Sequence, residues 1–351
     1  IYKNNQCIYN FTKKEAMSEL QEKYPNNRLR RTRQSQWIRN LVSENSLSTN
    51  DLIWPIFICE GSNVKDEIDS MPGVYRYSVD RLNEVVDQAL LNKISLIALF
   101  PYTPKEKKDS LGSEALSPDN LICSALKKIK EKKVELGIMC DVALDPYTSH
   151  GHDGILSEDN QILNDETNKI LVKQSLLLAE HHADIIAPSD MMDGRIGLIR
   201  NNLEDKGFKN TILLSYSAKY ASGFYGPFRD AVGSSGNLVS DKKTYQMDYA
   251  NSDEALREVA LDIAEGADII MVKPGISYLD VIHRIKSEYN FPTFAYQVSG
   301  EYAMVKAAAR NNWIDEEKII IEQLTSFKRA GANAILSYFA IDAAKIINST
   351  S

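Results

Sequence analysis

Cysteine is scarce in this chain of 351 residues: there are four, Cys7, Cys59, Cys123 and Cys140, and no CxxC pair among them. Scattered in this way they read as reduced thiols, in the core or at the surface, of a protein in a reducing compartment. Long apolar runs are also missing, none approaching the ~20 residues that span a bilayer. No glycine-rich dinucleotide loop follows the first strand-like run, where Cys59-Glu60-Gly61-Ser62-Asn63 stands instead. Excess positive charge is absent too; a formal charge of -7 argues against a surface built for polyanions. No signal peptide is visible, although a chain that starts at Ile1 leaves room for a removed leader. What is present, 43% hydrophobic and 25% charged residues, suits a soluble globular protein with a large core. The length allows one barrel-sized domain or two smaller ones.

The first forty-odd residues differ from the rest. Residues 1–24 are polar and weakly helical, and a basic, tryptophan-bearing stretch runs from Arg28 to Arg39. It reads as an arm, solvated or laid on a neighbouring subunit, rather than as a nucleic-acid surface. From about residue 46 the chain alternates. Strand-like apolar runs at 52–58, 94–100, 137–142, 184–187, 212–215, 268–272, 293–297 and 334–338 are separated, in most cases, by amphipathic helical segments. Two of the strands follow the same punctuation, Glu265-Gly266-Ala267-Asp268 and Ala330-Gly331-Ala332-Asn333, in which a helix ends at glycine and a short turn feeds the strand. Strands buried on both faces indicate a parallel sheet covered by helices, and eight of them favour an α/β (β/α)8 TIM barrel spanning 46–351 behind an arm of 1–45. A doubly wound open sheet is the alternative.

A barrel of this kind places its site at the carboxyl ends of the strands, and those ends are polar here. They carry Asp141 to Gly154, Pro188 to Arg195, Lys219, Lys273, Gln297 to Gly300, and Ser337-Tyr338. Lys273 stands in Met271-Val272-Lys273-Pro274-Gly275, where proline and glycine stop a buried strand. An ammonium group there either has a partner or works as a neutral amine. If Lys219 ends the neighbouring strand, the two amines stand about 5 Å apart and lower each other's pKa.

Met271 to Gly275, Tyr216 to Ala231, Ala187 to Arg195 and Gln297 to Met304 together resemble the porphobilinogen synthases, also called 5-aminolevulinate dehydratases. The resemblance extends from about Arg28 to about Ala343. It implies a lyase that condenses two molecules of 5-aminolevulinate into porphobilinogen, with loss of two waters, through Schiff bases on two lysines. By that resemblance Lys273 holds the substrate that becomes the propionate side, and Lys219 the one that becomes the acetate side. Arg229 and Lys242, in or beside a lid over 221–240, anchor the acetate-side carboxylate together with Gln246, and Ser299 and Tyr338 anchor the other. Asp141 is expected to hold the substrate amine or shuttle protons, with Ser189 in support.

Zinc-dependent members of the family carry cysteines where this chain has Ala143, Asp145 and Asp153, so the soft-ligand zinc site is absent. His150 and His152 alone do not make a tetrahedral site. The aspartate-bearing form is typical of plant, apicomplexan and some bacterial members. Asp145 and Asp153 are read either as ligands of a hydrated Mg2+ or as groups that orient the substrate amine. Glu258 matches a second, allosteric Mg2+ site bound largely through water at a subunit interface. The resemblance further implies a homo-octamer, with exchange to hexamers and dimers in some members, and no nucleic-acid or membrane partner. A plastid or apicoplast stroma is the expected compartment, with the cytoplasm as the alternative. Two rivals differ in what they require. Another Schiff-base barrel aldolase would show one lysine and a phosphate site after the last two strands. A non-catalytic barrel would not need both lysines and both anchor sets.

Overall fold

The structure, a computed structural model, describes residues 24–233, 238 and 240–350. Cys7, the expected weak helicity of the first residues and part of the expected lid lie outside that range. Two units separate at Ser46/Leu47. The first holds a 3-10 turn, Leu29–Arg33, and a short helix, Gln36–Leu41, neither with a buried residue. Tyr24, Leu29, Trp37 and Leu41 are all exposed there.

The second unit contains ten strands: β1 (Leu52–Cys59), β2 (Lys65–Glu67), β3 (Tyr75–Ser78), β4 (Leu96–Pro101), β5 (Gly137–Val142), β6 (Ile185–Pro188), β7 (Ile212–Lys219), β8 (Ile269–Lys273), β9 (Thr293–Gln297) and β10 (Ala334–Ser337). Eight of them, β1 and β4 to β10, run parallel in chain order. Pairing of Leu52 with Ile335 and of Ile53 with Leu336 closes the ring, which excludes the open sheet. Helices return the chain between strands, among them Arg195–Asp205 and Leu279–Tyr289, and Ala340–Thr350 ends it. A hairpin, β2 with β3, joins β1 at Phe57 to Cys59, beyond the residues of β1 that pair with β10. This hairpin was not expected: β2 is exposed throughout and has no apolar signal.

The shared punctuation has a structural basis at the amino end of the barrel. Gly266 and Gly331 end their helices with φ of 104° and 109°, which glycine adopts without steric cost. The residue just before the next strand then reaches sideways. Asp268 accepts the Leu213 N–H at 2.8 Å, and Asn333 accepts that of Thr293 at 3.0 Å. Asp184 does the same for Ile138 at 2.8 Å. Each turn thereby satisfies a backbone donor at the start of the preceding strand.

At the opposite end, Gly275 leaves β8 through a gap too narrow for a side chain. A Cβ there would meet Phe327 at 2.3 Å and the Tyr296 carbonyl at 2.9 Å. Gly275→Ala is therefore expected to destabilise the protein by about 1–3 kcal/mol through overpacking. Gly226→Ala, with helical φ of -50° and open space around its Cβ, is the control. Chemical denaturation midpoints check the pair; equal midpoints would show that the gap is slack.

Candidate active site

β7 carries one residue more than β8 between the pairs Ser215–Ile270 and Ala218–Val272. This bulge shifts the register by one, so that Lys219 falls opposite Lys273 rather than opposite the following proline. Register partners on parallel strands face the same side, and both amines are buried, 5% and 6% exposed.

Their surroundings differ. Lys219 donates to Asp153 Oδ1 at 3.1 Å and to the Ser189 carbonyl. Lys273 has no hydrogen bond or ion pair among the described residues. The rings of Tyr296, Phe228, Tyr216 and Tyr225 surround its Nζ with centroids 4.5, 5.1, 5.3 and 5.4 Å away. Tyr296 and Phe228 extend an aromatic cluster that fills the barrel through Phe57, Phe100 and Tyr338. Burial, followed by the Lys219 charge, lowers the Lys273 pKa to about 7. An amine so placed is available as a nucleophile near neutral pH.

The loop after β5 supplies the counter-charges. Asp153 is fully buried, and its Oδ2 takes Lys242 at 2.6 Å and the Tyr245 hydroxyl at 2.8 Å. Burial alone would raise this carboxyl, but Lys219 and Lys242 hold it well below the usual carboxylate range. Lys242 also reaches Asp145 at 3.3 Å, and the two aspartates outweigh burial to raise its pKa. Asp141 behaves in the opposite way. Burial lifts it to about 6 against the pull of Lys273 and Lys219, and Ser189 Oγ donates to it at 3.0 Å.

The remaining expected residues fall around this core. Asp145, Lys219, Arg229, Lys242, Gln246 and Lys273 line one cavity of about 40 Å³. Arg229 has no hydrogen bond or ion pair among the described residues. Ser299 accepts the Phe228 N–H at 2.9 Å and donates to the Phe224 carbonyl at 3.3 Å, so it seats the segment that carries Arg229. The Tyr338 hydroxyl shares a 2.7 Å hydrogen bond with that of Tyr296. Glu258 lies apart, half-buried on the outer helix Asp253–Glu265.

Tyr245 was not anticipated. It bridges Asp153 to His152, whose Nδ1 lies 3.1 Å from its hydroxyl, while Ser240 Oγ lies 3.1 Å from Nε2. Nothing in the sequence marks this tyrosine except its place beside Gln246. A second unforeseen group is buried behind the site, where Arg195 contacts Asp190 at 3.4 Å, Asp262 at 3.5 Å and Ser215 at 3.2 Å.

Metal binding was weighed on the donors present. No group of three or more His, Cys, Asp or Glu among the described residues is disposed to hold an ion. Between Asp145 and Asp153 the Lys242 ammonium stands where a cation would sit, so this pair does not fit a resident Mg2+. Glu258 offers a different setting. Burial, then Asp262, raises its pKa, and Asp193 and Glu254 add to the shift while Arg195 opposes it. A hard oxygen donor among carboxylates fits Mg2+ held mainly through water.

The low Lys273 pKa has a testable consequence, since only the neutral amine attacks a carbonyl. Borohydride trapping of a small ketone on Lys273 should rise as pH rises through about 7 and level off above it. Lys219→Met removes a positive neighbour and should move that inflection upward. An inflection near the ordinary lysine value of about 10.4 in the unmodified protein would refute the assignment.

Residues 26–346 match the family model for delta-aminolevulinic acid dehydratase. A relative of that name from Bradyrhizobium diazoefficiens is 57% identical over 318 residues, covering 91% of this chain and 90% of its own. One from Rhodobacter capsulatus is 50% identical over 94% of this chain and 99% of its own. The crystal structure of the Toxoplasma gondii ME49 enzyme in complex with its reaction product porphobilinogen superposes with a TM-score of 0.90 at 45% identity, over 93% of this chain and 92% of that one. From its closed barrel and this similarity over about nine-tenths of its length, the chain belongs to the delta-aminolevulinic acid dehydratase (porphobilinogen synthase) family.

Proposed function

We infer that this chain is a porphobilinogen synthase that joins two 5-aminolevulinate molecules with loss of two waters. The observation that carries the reading is the register of Lys219 opposite Lys273, two amines in unlike settings at one site. Two ketones must be activated, and each amine can condense with one, releasing water and leaving an iminium carbon open to attack. Lys273, short of a counter-ion, is the readier nucleophile. Lys219 is engaged by the Asp153 carboxylate, a contact that must loosen before its amine attacks.

The two substrates bring carboxylates and amines of their own. Arg229, with Lys242 and Gln246, takes one carboxylate; Ser299 and Tyr338 take the other. Lys242 then exchanges Asp145 and Asp153 for the substrate carboxylate, and the substrate ammonium takes its place between the aspartates. Asp141, raised toward neutrality beside both lysines, moves protons between them, and Ser189 fixes its orientation. The segment carrying Arg229, which lines both this cavity of about 40 Å³ and a neighbouring one of about 320 Å³, opens for entry and closes on the ligands.

Mg2+ acts, in this reading, outside the chemistry. Glu258 holds it through water and the ion favours a larger assembly, a homo-octamer exchanging with smaller forms. The exposed Leu29, Trp37 and Leu41, on two short helical segments that bury no residue, support an arm that covers a neighbouring copy. No helix among the described residues is long and apolar enough to cross a membrane. A plastid-type stroma is the compartment that the aspartate-bearing form favours.

Two experiments test these readings. Incubation with 5-aminolevulinate, borohydride reduction and peptide mass spectrometry should find adducts on Lys273 and Lys219, with porphobilinogen formed when reductant is omitted. No adduct on Lys273 would end the Schiff-base reading. Chelation of Mg2+, or Glu258→Ala, should shift the size-exclusion profile toward smaller forms and lower activity together. A profile indifferent to both would count against the allosteric role.

A further inference from the structure

Glu301 is 2% exposed, in the first turn of the Ser299–Arg310 helix, and no lysine, arginine or histidine among the described residues pairs with it. Its partners are backbone N–H groups from two different strand ends. Oε2 accepts from Val298 at 2.8 Å, while Oε1 accepts from Ile276 at 2.8 Å and from Ser277 at 3.4 Å. Val298 immediately precedes Ser299, and Ile276 follows Lys273 by three residues.

A glutamate that caps a helix is ordinarily a surface group, satisfying orphan donors of its own first turn. Here the carboxylate is sealed from solvent and reaches outside its helix. Burial pushes it up to about 7 even though the N–H groups of Val298, Ile276, Ser277 and Gly275 favour its ionised form. Glutamine could not replace it evenly, since its amide nitrogen would face a backbone donor. The contact is reinforced on both sides. Gly275 lies against the Tyr296 carbonyl with no room for a Cβ, and Gly300 lies so close to the Phe224 carbonyl that a Cβ would stand 2.5 Å from it.

We propose that Glu301 is a positioning residue that sets the distance between the Lys273 amine and the Ser299 hydroxyl, and with it the length of keto acid that can bind both. This rests on the proposed function, in which one substrate is held by its ketone at Lys273 and by its carboxylate at Ser299. Substrate length is thus measured by two backbone segments joined through one carboxylate. A helix cap alone would affect stability and leave that length untouched.

The test uses the full chain in its native assembly, as wild type, Glu301→Gln and Glu301→Ala. Borohydride adducts are quantified on Lys273 and Lys219 with 5-aminolevulinate and with its one-carbon-longer homologue, 6-amino-5-oxohexanoate. Wild type should trap the shorter acid preferentially at Lys273. Glu301→Ala should lower the Lys273-to-Lys219 adduct ratio by up to about a hundredfold, the scale of a misplacement of about 1 Å, and narrow the preference for length. Glu301→Gln should fall between the two. If the alanine variant fails to assemble, the glutamine variant decides on the same ratio. Folded variants with a wild-type ratio and length preference would overturn the inference, whatever their melting temperatures. Wild type without a Lys273 adduct would instead overturn the proposed function, and this inference with it.

Discussion

Two amines at the ends of adjacent parallel strands, both shut away from water, cannot both remain charged without help. At about 5 Å and an effective dielectric near 20 their mutual repulsion is about 3 kcal/mol, before either loses its hydration. The barrel answers asymmetrically. Lys219 receives a buried carboxylate and a carbonyl; Lys273 receives four aromatic rings and, among the described residues, no ion pair. One amine is given a counter-ion and the other is released toward neutrality, and the second arrangement depends on the first, because the Lys219 charge is part of what lowers Lys273.

Much of the surrounding structure serves this asymmetry. The bulge in β7 brings Lys219 into register, the long loop after β5 delivers Asp145 and Asp153, and the segment from Ser240 to Gln246 delivers Lys242 and Tyr245. Three aspartates are set against three lysines and Arg229, so most of the charge, though not all, is balanced before a ligand enters. Within that balance the carboxyls are driven apart, Asp153 held ionised and Asp141 raised to about 6. Carboxyl groups separated in this way take different parts in proton transfer.

How much of this the sequence discloses depends on how local the cause is. The barrel strands are legible because each is a short apolar run between turn signals, and the two lysines because each follows such a run. The β2–β3 hairpin is not, since its polar residues give no period. The exact end of β7 is also hidden: its apolar run fades near Ser217, and the bulge that carries the strand on to Lys219 is set by pairing with β8. The bridges from Asp153 to Lys242 and Tyr245 span about ninety residues of chain, and no spacing rule anticipates them. Glu301 looks like a helix cap in the sequence and is recognisable as a strap only when its partners at Ile276 and Ser277 are seen.

Aspartates at 145 and 153 make a different kind of site from one built of cysteines. Thiolates would bind a soft ion tightly and for long periods. Carboxylates bridged by an ammonium form a lattice whose members can be exchanged one for one at little electrostatic cost, provided each incoming charge matches the one that leaves. A substrate with an ammonium at one end and a carboxylate at the other meets that condition. Its ammonium can replace Lys242 between the aspartates, and its carboxylate can receive the Lys242 that is freed. The burial that makes an unpaired charge here so costly then favours the ligand able to restore every pairing at once.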